Sequence, residues 1–136
     1  MTMSANSVCE LVPDGVYEVA FSSHRITSRF GRGSLELWFR IVEFGPLFEV
    51  RLCRYYKVSR SGKRSFCVGP QSDFVREFAK VFGKKPPTGI QAVRQYRANV
   101  QLQARVETVT KGHDQKNIPE PVRYSVIREL LGQSIR

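Results

Sequence analysis

The chain has 136 residues, of which 41% are hydrophobic and 25% are charged, a composition typical of one globular domain and unlike that of a disordered chain. Lys and Arg number 22 against 12 Asp and Glu, which gives a net charge of +10. Because excess cations repel one another, this balance favours a polyanionic partner over a merely solvated basic surface. Three cysteines with no C-x-x-C pair and no secretory signal exclude a disulfide framework, and the apolar runs are too short to span a bilayer. We expect one cytoplasmic domain over residues 1–136, with residues 1–10 flexible.

The first predicted strand covers residues 16–21 and follows turn residues at positions 13–15. Its apolar side chains alternate with polar ones, as a half-buried strand requires. Residues 22–34 are polar and basic and contain two glycines. This segment is either a mobile loop or a ribbon that extends the hairpin.

Two further strands follow. Residues 35–42 alternate most regularly between apolar and polar side chains, and Gly45-Pro46 then marks a turn. The third strand is predicted over residues 48–58, with three inward-facing side chains, Phe48, Val50 and Leu52.

The principal predicted helix begins after Ser72, a good N-cap, and ends at Gly83. Its apolar stripe contains phenylalanines at four-residue spacing, Phe74, Phe78 and Phe82. A short helical turn is expected over residues 90–96.

Two strands are predicted near the end of the chain. Residues 99–109 alternate again between apolar and polar side chains. Residues 123–127 form a last strand or begin a short helix through residue 131, and the strand is favoured because Tyr, Val and Ile are strand formers. Five strands with a helix between the third and the fourth predict a mainly β chain and, specifically, a five-stranded OB-fold barrel.

The candidate binding surface is the polar face of the second and third strands. Aromatic rings stack on unpaired bases and cations neutralise phosphates, so a face that mixes the two suits single-stranded nucleic acid. The two strands supply Trp38, Arg40, Arg51, Tyr55 and Lys57. The flanking loops and the fourth strand add further cations and one ring, which are Arg25, Arg29, Phe30, Arg32, Arg105, Lys111 and Lys116.

Each of these assignments has an alternative. Trp38 could pack under a loop or a partner subunit instead of stacking on a base. Phe30 lies in R-F-G-R-G and is either a stacking ring or a plug that folds the loop back. The same basic aromatic face could also bind a protein, as an inhibitor encoded by a mobile element would, and RNA is not separable from DNA by these contacts. An exposed edge strand could pair across a homodimer.

Catalytic and metal sites are not expected. His24 and His113 lie in predicted loops without cysteines at ligand spacing, and the carboxylates do not form a D-x-D cluster. The glycine-containing basic segments lack the spacing of a phosphate-binding loop. We therefore predict no enzyme activity, no cofactor and no metal.

Several segments resemble the OB-fold single-stranded DNA-binding proteins of phages and mobile genetic elements. They are P-D-G-V-Y-E-V-A, G-R-G-S-L-E-L-W-F-R-I-V-E-F-G-P-L-F, R-Y-Y-K-V and the closing V-x-T-V-T-x-G-x-x-Q with I-P-E-x-x-R-Y-S-V-I. The resemblance extends over residues 12–131 and rests on patterns of residue type. It implies sequence-independent coating of single strands in replication, recombination or DNA transfer. The chain ends in G-Q-S-I-R and not in the acidic tail by which many such proteins recruit partners, so we do not expect recruitment by that route.

Overall fold

A computed structural model describes residues 11–29, 32–60, 65–98, 100–111, 116 and 124–134, with the side chain of Arg29 left undescribed. The described residues contain seven strands and two helices. This content confirms the prediction of a mainly β chain with one principal helix. In chain order they are β1 Gly15–Arg29, β2 Arg32–Ile41, β3 Arg51–Lys57, β4 Ser59–Arg60, β5 Phe66–Cys67, α1 Asp73–Phe82, α2 Ile90–Tyr96, β6 Gln101–Val109 and β7 Tyr124–Gln133.

Five strands form one antiparallel sheet in the order β3-β2-β1-β6-β7, and β4 and β5 form a separate small hairpin. The central strand β1 pairs with β6 over its first part, Gly15 to Ala20, and with β2 from Val19 to its end. Its second half and the start of β2 therefore form a hairpin that extends past β6, called the ribbon below, and β3 pairs with β2 from Ser34 onward. The edge strands β3 and β7 approach each other across the curved sheet, but the described residues form no hydrogen-bonded ladder between them, so the sheet is not closed.

The core lies between the inward face of this sheet and the helices. Helix α1 begins at Ser72, whose side chain accepts a hydrogen bond from the Val75 amide, and ends at Gly83, which adopts the left-handed φ of 72°. Its buried stripe places Phe74 and Phe78 against the sheet, where Tyr96 of α2 meets Phe78 edge to face. The predicted cap, stripe and end of this helix are all confirmed.

The structure resolves one alternative in the first hairpin and corrects the third strand. The described part of the segment 22–34, residues 22–29 and 32–34, extends the hairpin as a ribbon. Strand β3 begins at Arg51 and not at residue 48, and Phe48 is 47% exposed instead of inward-facing. The reason is a tight turn after β2: the Phe48 amide donates to the Gly45 carbonyl at 3.2 Å, and Glu49 takes a φ of 71°.

The last segment is a strand, as favoured, and it is longer than predicted. Strand β7 runs to Gln133 because its second half continues to pair with β6, Ala104 opposite Leu130 and Leu102 opposite Gln133. The β6–β7 register shifts at two irregularities, between Gln103 and Ala104 and between Arg105 and Val106, and the pairing resumes beyond each. The alternative helix through residue 131 is therefore wrong.

Candidate nucleic-acid interface

Trp38, the one tryptophan of the chain, lies on the outward face of β2 and outside the core cluster. Its neighbours across the sheet are Ser23 on β1 and Cys53 on β3. The ring is half-buried, and its Nε1 donates to Glu36 Oε1 at 3.2 Å. The predicted alternation thus holds along β2, and the indole faces away from the core.

An arginine packs on this ring. The Arg51 guanidinium carbon lies 5.3 Å from the centroid of the indole, within the range of a cation–π contact. Arg51 Nη2 also donates to Ser23 Oγ at 2.9 Å, so β1 and β2 together orient the side chain. Trp38, Ser23 and Arg51 therefore form one contiguous group across three strands, with the positive charge of Arg51 against the indole.

Arg40 lies beside Arg51 across the β2–β3 pairing. Its Nη1 donates to the Phe21 carbonyl at 3.2 Å, and its Nε lies 3.2 Å from Glu49 Oε1. Arg40 therefore shares the face with Trp38, but part of its charge is neutralised by the loop between β2 and β3.

Glu36 organises the other end of the face, a role that the sequence reading missed. Its carboxylate is buried, and it accepts from Trp38 and, at 3.2 Å, from Arg25 Nη2 of β1. The hydrogen bond to Glu36 raises the pKa of Arg25. Tyr55 lies directly opposite Glu36 on β3 and is half-buried. Glu36 is the one carboxylate in β2, on the face that carries Trp38 and Arg40, and this is the signal that could have found it.

Tyr55 also borders a depression between the two edge strands. The other walls of this depression are formed by the end of β6, by the residues directly after β6, and by β7. They include Lys111, Tyr124 and Arg128. Arg128, which the sequence reading did not single out, lies 3.3 Å from Glu107. The outward face therefore continues from β3 to β7.

Arg105 belongs to a neutralised cluster on β6 and β7. It pairs with Glu107 and, at 3.3 Å, with Glu129, which also pairs with Lys80 at 2.5 Å. The hydrogen bond from Lys80, followed by that from Arg105, lowers the pKa of Glu129. Arg105 is brought to the outward side of the sheet, but its charge is committed to carboxylates.

The ribbon adds a second group of cations beside the start of β4. Arg32 and Lys57 line one depression together with Gly33, and Arg60 Nη1 donates to Ser28 Oγ of the ribbon at 3.3 Å. The backbones of the ribbon and of the segment after β3 lie close together, because a Cβ on Gly33 would lie 2.5 Å from the Val58 carbonyl oxygen. The ribbon is thereby held against the segment that follows β3.

The remaining predicted residues are less informative. The Arg29 side chain and Phe30 lie outside the described residues. Lys116 is exposed, but the residues on both sides of it are not described. Within the described part of the chain, the outward cations without a carboxylate partner within 4 Å include Arg32, Arg51, Lys57 and Lys111.

Beneath this face, the opposite side of β3 carries a buried ion pair that periodicity did not predict. Arg54 points inward, where its Nε donates to Glu77 Oε1 of α1 at 3.0 Å and its Nη2 pairs with the second oxygen. Glu77 Oε1 also accepts from Tyr56 Oη at 2.7 Å and from the Leu130 amide at 2.9 Å. Burial lowers the pKa of Arg54, but the hydrogen bond with Glu77 and the surrounding negative charge outweigh it, so the pKa is raised. This network fixes β3 and β7 to the helix.

His24 lies on the ribbon near Arg97, and the two border a shallow depression beside the bulge in β1. Burial, followed by the charge of Arg97, lowers the pKa of His24 below its ordinary value of 6.5. This shift favours the neutral imidazole of His24 at pH 7.

The described residues contain no group of three or more His, Cys, Asp and Glu side chains that could hold a metal ion. Among the helices that the structure describes, none is long and apolar enough to cross a membrane. Comparisons with family models, curated proteins and solved structures return no match for this chain.

Proposed function

We propose that this chain is an OB-type module that binds single-stranded DNA without sequence preference. The strand order β3-β2-β1-β6-β7, with α1 between β3 and β6 and the edge strands close together, is compatible with a partly open five-stranded barrel. In such barrels the second and third strands and the flanking loops provide the ligand face. Here those elements hold Trp38, Arg51 and Tyr55 on one side and the basic ribbon next to them.

The observation that carries the proposal is the pairing of the outward indole of Trp38 with the guanidinium of Arg51 at 5.3 Å. A base stacks on a planar π-surface regardless of its identity. The guanidinium that packs on the indole extends this surface, because arginine planes also stack on bases, and its positive charge attracts the phosphates of the strand. Each stacked base contributes about 1–3 kcal/mol. Lys57 and Arg32 continue the positive charge toward the ribbon, where further phosphates of the strand would lie.

Binding in this mode depends on the phosphate backbone and on stacking, and not on base edges. The carboxylate of Glu36 disfavours a phosphate directly over Trp38, so we assign that position to a base. The sugar makes no required contact in this arrangement, so RNA would bind through the same groups.

Fluorescence titration with oligo-dT tests the proposal, because Trp38 is the sole indole of the chain. We expect quenching on binding and an affinity that falls with salt, with a slope of about −0.7 per phosphate contacted. Trp38→Ala should weaken binding by about 1–3 kcal/mol, whereas Trp38→Phe should retain part of the stacking.

A matched pair of variants distinguishes the loss of a positive charge at the proposed interface from the loss of one elsewhere on the protein. Arg51→Ala and Arg76→Ala each remove one positive charge, but Arg76 lies on α1 and pairs with Asp73 at 2.6 Å. Only Arg51→Ala should weaken binding and reduce the salt slope, equally for all sequences. No binding of single-stranded DNA, duplex DNA or RNA at low salt would reject the proposal and favour the protein-binding alternative.

A further inference from the structure

The loop between β2 and β3 exposes two aromatic rings that the proposed function does not use. Phe44 is 98% exposed and Phe48 is 47% exposed. Their ring centroids are 6.0 Å apart and their planes differ by 17°, so the two rings stack on each other in solvent. Single exposed hydrophobic residues are ordinary, but these two rings adjoin and form one exposed aromatic surface, the kind of feature that marks an interaction site.

The loop is built to hold these rings in place. The Phe48 amide donates to the Gly45 carbonyl at 3.2 Å, and the Val50 amide donates to the Leu47 carbonyl at 3.0 Å. Leu47 packs against the core and anchors the loop, while Glu49 adopts a φ of 71°, which is uncommon for a residue with a side chain. A strained residue held by surrounding hydrogen bonds suggests that the conformation serves a function.

The loop is continuous with the Trp38 face. Glu49 lies 3.2 Å from Arg40, the neighbour of Arg51 across the β2–β3 pairing. The carboxylates of the loop are engaged locally, since Glu43 accepts from the Glu18 amide at 2.6 Å and Glu49 pairs with Arg40. These acidic groups disfavour phosphate at the loop, whereas the bare rings favour an aromatic ligand. A base that projects from a backbone held at Arg51 fits both conditions.

We propose that Phe44 and Phe48 form a terminal stacking subsite for an unpaired base of the single strand, at the end of the path that passes Trp38. This inference rests on the proposed function. The subsite would take any base, because stacking on a phenyl ring does not depend on hydrogen bonds. It would be reached only by a strand long enough to extend from the central face to the loop.

Oligonucleotide length therefore separates this subsite from the central face. Modules of this type cover about 4–16 nucleotides, so oligo-dT at the two ends of that range is the probe. We expect the double variant Phe44→Ala, Phe48→Ala to bind the long oligonucleotide at least about 5-fold more weakly than the wild type, with the short one affected less than about 2-fold. Phe44→Tyr should retain the affinity and Phe44→Leu should lose it, although both keep a side chain of similar bulk.

Three outcomes overturn the inference. They are equal affinity of the double variant and the wild type at both lengths, an equal loss at both lengths, and a wild type whose self-association in sedimentation disappears in the double variant. The last result would assign the rings to a second copy of the chain. Wild-type protein that binds neither oligonucleotide at low salt rejects the proposed function itself, which distinguishes that failure from failure of the subsite alone.

Discussion

Replacing Glu77 should be among the most damaging single changes in this protein. The side chain is 1% exposed, and its two oxygens accept from Arg54, from the Tyr56 hydroxyl and from the Leu130 amide. These donors come from β3 and β7, whereas Glu77 belongs to α1. One carboxylate therefore joins the two edge strands of the sheet to the principal helix.

The magnitude follows from what Glu77→Ala leaves behind. Removing one partner of a buried ion pair costs about 3–5 kcal/mol, because the other charge stays buried without compensation. Asp73 cannot take over this role, since its carboxylate is 3.8 Å from Arg54 and mostly exposed. The Tyr56 hydroxyl and the Leu130 amide also lose their acceptor, although water entering the cavity would offset part of that loss. We expect a decrease in the free energy of unfolding of at least about 3 kcal/mol, against a total of about 5–15 kcal/mol for a domain of this kind.

Urea denaturation followed by far-ultraviolet circular dichroism and by Trp38 fluorescence measures this decrease. Glu129→Ala is the matched control, because Glu129 pairs with Lys80 and Arg105 at a more exposed position and should cost less than about 1 kcal/mol. If Glu77→Ala does not fold, the double variant Arg54→Met, Glu77→Leu should still fold and be more stable than Glu77→Gln, because no charge remains buried. A cost below about 1 kcal/mol for Glu77→Ala, or a double variant less stable than Glu77→Gln, would refute the reasoning.

Three further changes probe the ribbon and the helix. Gly33→Ala should destabilise the ribbon and weaken the proposed DNA binding, because its Cβ would meet the Val58 carbonyl oxygen at 2.5 Å. Gly69→Ala, with open space around the added carbon, is the control for thermal melting and oligo-dT affinity. Because the pKa of His24 is lowered in the folded state, the unfolded chain takes up the proton first as the pH falls below 6.5. The urea concentration at the unfolding midpoint should therefore decrease from pH 6.5 down through the pKa of His24 in the folded protein, and His24→Asn should make this decrease smaller. Ser72→Ala removes the acceptor for the Val75 amide and should cost about 0.5–2 kcal/mol in the same denaturation assay, with unchanged stability contradicting the role of the cap.

Local sequence patterns were sufficient to predict the strands and helices whose side chains follow one regular spacing. Alternation along β2 placed Trp38 and Arg40 outward before any tertiary contact was known, and the structure confirms this arrangement. The cap at Ser72 and the glycine at 83 marked both ends of α1, because these positions satisfy backbone groups within the helix itself. Such signals depend on neighbours only a few residues away.

Features that depend on residues far away in the sequence could not be predicted from local patterns. The inward position of Arg54 follows from alternation along β3. Its burial, however, depends on Glu77, which lies 23 residues later in the chain, on the buried face of α1. The start of β3 was misplaced because Phe48 reads as a strand former, whereas the hydrogen bond from the Glu49 amide to the Ile41 carbonyl, 2.9 Å, favours the turn. How far β7 extends was likewise set by its pairing with β6, not by its own composition.

Strand β3 connects the stability of the fold with the proposed interface, because its two faces serve different purposes. Arg54 Nη1 donates to the carbonyl of Tyr55 at 2.8 Å, so the side chain that pairs with Glu77 inside also holds the backbone from which Tyr55 projects outward. Loss of Glu77 would free Arg54 to move and would release this carbonyl, even in a variant that still folds. The position of Tyr55 opposite Glu36 would then be less restricted, and a strand stacked there would have to order it on binding. Conservative changes at Glu77 should therefore weaken the proposed single-strand binding as well as folding, whereas changes at Arg51 should affect that binding more than folding.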